Sequence, residues 1–222
     1  MAIIDLTVAI GPDTYAPPSV NTPIAVTVRT KEPGWQVTEV QMALHAGPHV
    51  DFSKHYRADG ETAEQIALDR TIGMARVFDL GEVEAGHDIS IQDLEGADPG
   101  LQPGEIALVR TAWTDRSWGR FPDYYVDSPS CSPEAASWLV DRGAKAIGFD
   151  CFPEAAAKKT DYRAEEFVVH ATIGEGGAVL MQQLTALDRL PAGEPVRFFA
   201  SFMKFTGAEG VPARFFAVVE DD

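Results

Sequence analysis

The sequence is short of cysteine and of long apolar runs, and each shortage excludes a class of protein. Cys131 and Cys151 are its only cysteines and stand twenty positions apart, so neither a disulfide scaffold nor a CxxC zinc site is expected. No window reaches the roughly 18 apolar residues that cross a bilayer, so no transmembrane helix is expected. The start, MAIIDLTVAIGPD, has no basic segment before its apolar residues. A signal peptide is therefore not expected, and the cytoplasm is the expected compartment.

Basic residues are also scarce. The chain carries 18 Lys and Arg against 34 Asp and Glu, a formal net charge of -16. A field of this sign repels phosphate backbones and anionic lipid surfaces, so neither nucleic acid nor a membrane is an expected partner. The chain has no G-x-S-x-G segment for a serine nucleophile. Its glycine-rich residues 174–177 lack the Lys-Ser/Thr of a phosphate-binding loop.

The pattern of apolar residues predicts a β-rich α+β domain. The 222 residues show no repeat and no linker, so one domain, 1–222, is expected. Alternating or short apolar runs predict strands at 24–29, 37–44, 75–80, 105–111 and 144–149, and a C-terminal hairpin of 196–205 with 213–219. A helix is predicted after Ser132, with Pro133 at its first position and Gly143 as its stop. A second, short helix is predicted at 61–69. These elements indicate a layered α+β fold.

Histidine is scarce too, yet three of the five lie in HAGPHVDFSKH, residues 45–55. Strand parity predicts that Val40, Met42 and Leu44 face the core before a turn, and that Val50 and Phe52 do so after it. The odd-numbered residues, including the histidines and an aspartate, then share a polar face.

A bend is needed to bring the histidines together. Four extended residues would separate His45 from His49 by about 13 Å, whereas two ligands of one metal lie within about 3.5 Å. Gly47-Pro48 is a turn dipeptide that can supply the bend. His45, His49 and Asp51 are therefore predicted to bind Zn²⁺ or Mn²⁺ with positions left open. His87 is predicted to be a surface residue.

These residues resemble a known motif. The segment 45–55 matches H-x-G-T-H-x-D-x-P-x-H of the metal-dependent cyclase family, which includes kynurenine formamidases and isatin hydrolases. Further segments resemble that family at residues 5–7 (DLT), 108–113 (LVRTAW), 132–140 (SPEAASWLV), 148–150 (GFD), 170 (H) and 184–188 (LTALD). The resemblance therefore covers most of the chain, and it implies a swivelling β/β/α fold.

The resemblance also implies roles for individual residues. The family's metal ligands correspond to His45, His49 and Asp51, and the histidine that acts as general base or acid corresponds to His55. In two-metal members a later histidine and a glutamate hold a second ion; these positions are His170 and Gln182. Because Gln182 is neutral, we expect one divalent ion per chain, Zn or Mn, with His170 as a proton-handling residue and Gln182 as a hydrogen-bonding residue near the substrate.

Other positions concern the substrate. Pro48 replaces the motif's threonine and Phe52-Ser53 replaces Ala-Pro, which weakens the assignment to a dedicated kynurenine formamidase. Tyr15 lies near a position where the formamidases present an aromatic residue to the substrate. Trp35 and Phe152 are further candidates for a pocket wall.

The resemblance and the predicted site together imply a metal-dependent amidohydrolase that cleaves a C–N bond in a small, aromatic amide or cyclic amide. Relatives imply a homodimer or homotetramer. Two alternatives stay open at this point. One is a cyclase or dehydratase acting on a secondary-metabolite intermediate, which needs the same carbonyl activation. The other is a catalytically weak family member that binds a small ligand.

Overall fold

The computed structural model describes residues 1–31 and 34–220, which form twelve β-strands and five α-helices. The strands are β1 (Ala2–Asp5), β2 (Ala25–Lys31), β3 (Trp35–Gln41), β4 (His49–Asp51), β5 (Ile72–Asp79), β6 (Asp88–Ile89), β7 (Ile106–Arg110), β8 (Ser130–Cys131), β9 (Ala146–Phe149), β10 (Val179–Gln182), β11 (Val196–Phe202) and β12 (Gly210–Val219). The helices are α1 (Ile91–Gly96), α2 (Trp113–Ser117), α3 (Asp123–Val126), α4 (Pro133–Asp141) and α5 (Val168–Glu175). The β-rich α+β class predicted from the sequence is confirmed.

Eight of the described strands form one sheet that closes on itself. Their order is β1-β12-β11-β5-β7-β9-β10-β4, and β4 also pairs with β12. The central strands β5, β7, β9 and β10 are parallel neighbours, whereas β4 is antiparallel to both β10 and β12. The closing strand therefore lies within the histidine-rich segment, and both of its edges are hydrogen-bonded.

Both faces of the central strands are buried, each against a different core. Ile106 and Leu108 of β7 lie in the core enclosed by the closed sheet. Val109 points the other way, into the core between the sheet and the helices, which also contains the free and buried Cys131 and Cys151. Burial on both faces explains why β7 reads as a continuous apolar run. Each fully buried side chain of this kind contributes about 1.5–3 kcal/mol.

The predicted C-terminal hairpin and the helix after Ser132 are confirmed. Strands β11 and β12 pair antiparallel from Arg197↔Val218 to Phe202↔Ala213. Helix α4 begins at Pro133, the Ser132 hydroxyl accepts from the Ala135 amide, and Gly143 follows the helix with a φ of 85°. Within the described part of the chain, no helix is long and apolar enough to cross a membrane.

The strand predicted at 37–44 is partly wrong. Strand β3 ends at Gln41 and pairs only with β2 among the described strands, as a two-stranded ribbon whose side chains are all exposed. Val40 is 55% exposed, and Met42 and Leu44 are half-buried. The expected parity before the turn therefore fails at Val40, because alternation in a ribbon that is exposed on both faces does not indicate a core. Met42 and Leu44 do pack, in part, against hydrophobic cores. After the turn the expected parity holds: Val50 and Phe52 lie in the enclosed core.

The short helix predicted at 61–69 is wrong. The Gln65 side chain accepts from both the amide and the hydroxyl of Thr62, which forms a local turn. Ala67 then adopts an extended ψ of 133°, and only a 3-10 turn, Leu68–Arg70, follows. Leu68 is 62% exposed, so the segment lacks the continuous apolar stripe that would hold a helix on the core.

A buried carboxylate joins the ends of the parallel strands β7 and β9. One oxygen of Asp150, just after β9, accepts from the Thr111 amide at 2.7 Å and hydroxyl at 2.6 Å. The other accepts from the Ala112 amide at 2.8 Å. Ala112 has a φ of 56°, a left-handed conformation that is costly for a non-glycine residue. Asp150 thus stabilises the turn between β7 and α2.

Replacing this carboxylate should destabilise the fold. In Asp150→Asn the amide nitrogen faces a backbone N–H that needs an acceptor, so we expect the free energy of unfolding to fall by about 1–3 kcal/mol. Urea unfolding followed by circular dichroism measures this loss. The matched control is Asp141→Asn, which changes an exposed carboxylate at the end of α4. Equal stability of the two variants would contradict the assigned role.

Candidate metal centre and active site

The predicted bend brings the first two histidines together. Gly47 has a φ of 76°, and a Cβ there would lie 2.3 Å from Cγ2 of Ile10. The position therefore requires glycine both for its backbone conformation and for its close packing. The His45 and His49 rings lie edge to face with centroids 5.1 Å apart. The turn role assigned to Gly47-Pro48 is confirmed.

Strand β4 carries His49 and Asp51 and sets which residues lie opposite them. Its register places His49 opposite Gln182 of β10 and Asp51 opposite Gly210 of β12. Residues directly opposite each other on paired strands project to the same side. Closure of the sheet therefore brings Gln182, twelve positions beyond His170, into the histidine cluster, which spacing along the chain alone does not do.

The three predicted ligands converge on one point. Asp51 Oδ1 lies 2.8 Å from His45 Nδ1 and 3.4 Å from His49 Nε2, within the roughly 3.5 Å expected for ligands of one ion. All three residues are buried. Asp51 Oδ1 is buried without a hydrogen bond of acceptable geometry, which is costly unless a cation is nearby. This donor set fits a divalent ion.

The ring of His49 is oriented by its own turn. Its Nδ1 lies 2.7 Å from the carbonyl oxygen of Gly47. A carbonyl can only accept, so Nδ1 carries the hydrogen and Nε2 presents its lone pair to the cluster. A hydrogen bond from the distal nitrogen to a carbonyl is the usual arrangement for a metal-binding histidine.

His170 reaches the same cluster from helix α5. Its Nδ1 lies 3.0 Å from Glu154 Oε2, and the same oxygen accepts from the backbone amides of Val169 and His170. Its Nε2 lies 3.6 Å from Asp51 Oδ2. Burial disfavours the charged ring, but the two neighbouring carboxylates outweigh burial and raise the pKa of His170 to about 9.

The Gln182 amide occupies the space between the two halves of the cluster. Its Nε2 lies 2.6 Å from Asp51 Oδ2, 3.1 Å from His170 Nε2 and 3.3 Å from His49 Nε2. The amide nitrogen has two hydrogens for these three neighbours, while Oε1 is buried without a partner. A half-turn of the amide would place Oε1 2.6 Å from Asp51 Oδ2, with no hydrogen between the two acceptors. Nε2 therefore keeps this position and donates to Asp51.

His55 lies between the ligands and His170. It ends the 3-10 turn Ser53–His55, stacks on His45 with centroids 4.2 Å apart, and lies 5.5 Å from His170. Burial is the main cause that lowers the pKa of His55 to about 4, against the effect of the Asp51 carboxylate. His55 is therefore neutral at pH 7, unlike His170.

The turn that carries His55 is fixed to the helix that carries His170. A Cβ on Gly174 of α5 would lie 1.2 Å from the Tyr56 hydroxyl oxygen. A side chain at position 174 would therefore displace the Tyr56 ring, which is packed against α5 next in sequence to His55.

A narrow cavity of about 60 Å³ opens onto these groups. An adjoining cavity of about 340 Å³ shares His55, Tyr162, Phe167 and His170 with it. The narrow cavity is lined by histidines, Gln182 and mostly apolar groups: Pro17, Ser19, Val20, His45, His49, His55, Phe152, Ala157, Tyr162, Phe167, His170 and Gln182. This polar end and aromatic wall suit a small ligand with an aromatic ring.

One of the three residues predicted to line the pocket wall lies at the narrow cavity, and the other two do not. Phe152 lines the cavity, as predicted. Tyr15 is 57% exposed and stacks on Phe121, and Trp35 is 57% exposed on the β2–β3 ribbon. Neither lines this cavity, so the substrate contact of Tyr15 stays a prediction. His87 pairs with Asp93 at the surface and is 40% exposed, as predicted.

Two acidic residues of the site were not found from the sequence. Glu154 orients His170, and Glu209 Oε1 lies 3.2 Å from His45 Nε2. The hydrogen bond from His45 is the main cause that lowers the pKa of Glu209 to about 2. Both residues follow strands or loops remote in sequence from the motif, and among many acidic residues nothing local distinguishes them.

Known proteins resemble this chain in sequence and in fold. A family model described as a putative cyclase matches residues 4–153. The kynurenine formamidase of Salinibacter ruber is 27% identical over 228 aligned positions, which cover 100% of this chain and 98% of that protein. The kynurenine formamidase of Bacillus cereus is 25% identical and covers 80% of this chain and 78% of that protein.

Solved structures give the same result for the fold. An isatin hydrolase bound to the product analogue thioisatinate superposes with a TM-score of 0.84 and 19% identity, covering 99% of this chain and 92% of that one. Isatin hydrolase A from Labrenzia aggregata, bound to benzyl benzoate, superposes with a TM-score of 0.81 and 23% identity. The superposition covers 97% of this chain and 93% of that one. At these identities the likeness shows a shared fold.

Metal binding should depend on His49 and not on histidine in general. We expect His49→Ala to weaken Zn²⁺ or Mn²⁺ binding at least about 100-fold, since it removes a ligand and opens a buried carboxylate cluster. His87→Ala, the surface control, should bind as the unaltered protein does. Competition titration against a chelating dye measures both affinities. Equal loss in the two variants, or none in His49→Ala, would contradict this ligand set.

Proposed function

Because this chain belongs to the putative cyclase family, we propose that it is a metal-dependent amidohydrolase that cleaves a C–N bond of a small aromatic amide or cyclic amide. The observation that carries the proposal is the convergence of His45, His49 and Asp51 beside two further histidines, His55 and His170, whose environments shift their pKa values in opposite directions. The aromatic wall of the cavity supports an aromatic substrate. The names of its relatives, kynurenine formamidase and isatin hydrolase, support the amide class.

His45, His49 and Asp51 would hold the ion, for which we propose Zn²⁺ or Mn²⁺. Imidazole and carboxylate donors suit both metals. An ion of this kind supplies Lewis acidity, which polarises a carbonyl group and acidifies a water molecule.

The two remaining histidines divide the proton transfers. His55 is neutral and offers a lone pair, so it takes a proton from the water oxygen that attacks the carbonyl carbon. His170 is protonated, so it gives its proton to the nitrogen as the C–N bond breaks. Environments that push two pKa values apart are the usual basis for such an assignment of base and acid. The Glu154 carboxylate keeps the His170 ring aimed at the cavity.

We also propose that the chain holds one metal ion, because Gln182 fills the space where a second would sit. Its amide is neutral, so it cannot offset the charge of a second dication beside Asp51 and His170. The amide also stands in the cavity lining, where its free hydrogen-bonding group can contact the substrate.

The metal count follows from this side chain. Elemental analysis of the purified protein should give one equivalent per chain, and Gln182→Glu should raise it toward two, because a carboxylate completes an acidic site with Asp51 and His170. The control is Gln36→Glu, which makes the same change at an exposed position and should leave the metal content unchanged. Two equivalents in the unaltered protein would overturn the proposal.

Turnover tests the reaction itself. The metal-loaded protein should hydrolyse N-formylkynurenine, a simple N-formylaniline or isatin, and His55→Ala should lower kcat by about 10²–10⁴-fold because the general base is lost. The metal content of His55→Ala should remain that of the unaltered protein. Absence of turnover with metal bound would contradict hydrolysis and favour ring closure or dehydration at the same site.

We further propose a single-domain cytoplasmic protein that assembles as a homodimer or homotetramer. The β2–β3 ribbon supports assembly because it exposes several large apolar side chains: Val26, Val28, Trp35, Val37 and Val40. Exposed apolar groups concentrated in this way are common at subunit interfaces. The mass in solution, measured by light scattering, decides between the two states.

A further inference from the structure

Both nitrogens of His45 face a carboxylate. Nδ1 lies 2.8 Å from Asp51 Oδ1, on the side of the proposed ion. Nε2 lies 3.2 Å from Oε1 of Glu209, the last residue before β12. Because the His45 side chain is only 10% exposed, protein groups and not water fix the orientation of its ring.

The next residue holds the same ring from another side. A Cβ on Gly210 would lie 2.5 Å from His45 Cε1 and 3.0 Å from each ring nitrogen. Gly210 is paired with Asp51 in the β4–β12 register. The backbone of Gly210, at the start of β12, therefore packs against the His45 ring, and Glu209 lies at hydrogen-bond distance from Nε2 of that ring.

We propose that Glu209 is a positioning residue that accepts the hydrogen of His45 Nε2 and thereby commits Nδ1 to the metal. This role rests on the proposed function of the site. A neutral imidazole has one lone pair, so a hydrogen held on Nε2 leaves the lone pair on Nδ1. A carboxylate behind a metal-binding histidine orients the ring and increases the electron density of its ligand nitrogen.

A role for Glu209 as a metal ligand fits the geometry less well. His45, His55 and Glu209 could together hold an ion, but His45 would then have to bind through Nε2. That would take its single lone pair away from the convergent and more deeply buried pair His49 and Asp51. Glu209 is also 41% exposed at its side chain, whereas Asp51 is 1% exposed.

Metal affinity measured on variants of Glu209 tests the proposal. Glu209→Ala should weaken Zn²⁺ or Mn²⁺ binding by about 10–100-fold at an unchanged stoichiometry. Glu209→Gln keeps an oxygen acceptor without the charge, so it should recover part of the lost affinity, as a purely structural role would not require. Glu194→Ala removes an exposed carboxylate elsewhere and should bind normally. Gly210→Ala should weaken binding independently, by displacing the His45 ring.

The outcomes separate this role from the proposed function. Unchanged affinity in a folded Glu209→Ala protein overturns the positioning role alone. A fall in stoichiometry in Glu209→Ala overturns it as well, because it makes Glu209 a ligand. Metal binding without C–N hydrolysis in the unaltered protein overturns the proposed function and leaves the Glu209 result standing. An unaltered protein that binds no metal overturns both.

Discussion

The site depends on one constraint, the burial of the Asp51 carboxylate in the strand that closes the sheet. A buried carboxylate is costly unless positive charge or donors surround it. Burial opposes ionisation of Asp51, yet His49, His170 and His45 hold its pKa well below the usual range. Because β4 is hydrogen-bonded on both edges, Asp51 cannot move toward solvent. The cluster must therefore contain cations, either as protonated imidazoles or as a metal ion.

The same constraint explains why the histidines differ. Carboxylates on both sides of His170 raise its pKa, whereas His55 is half-buried among other imidazoles, and its pKa is lowered mainly by burial. The difference comes from position and not from residue type. The Tyr56 side chain packs on Gly174 of α5, which places the turn of His55 against the helix of His170, with the two imidazole rings 5.5 Å apart.

Local features of the site could be predicted from the sequence, because the three predicted metal ligands lie within seven residues of one another. The turn at Gly47, the alternation after it and the capped helix α4 all depend on neighbouring residues. The predicted strand at 37–44 is partly wrong and the predicted helix at 61–69 is wrong, because the spacing of apolar residues does not show whether other parts of the chain cover them. Glu154 and Glu209 could not be found because they reach the site only through long-range pairing, and the register that joins β4 to β10 and β12 leaves no local signal.

The closed sheet is the frame that places the histidine-rich segment, His170 of α5 and Gln182 of β10 around Asp51. The position of the ion within this cluster can be measured by anomalous X-ray diffraction from crystals containing Mn²⁺ or Zn²⁺. We expect an anomalous peak about 2.1 Å from His45 Nδ1, His49 Nε2 and an oxygen of Asp51. A peak bound instead by His55 and Glu209, or no peak within this cluster, would contradict this expectation.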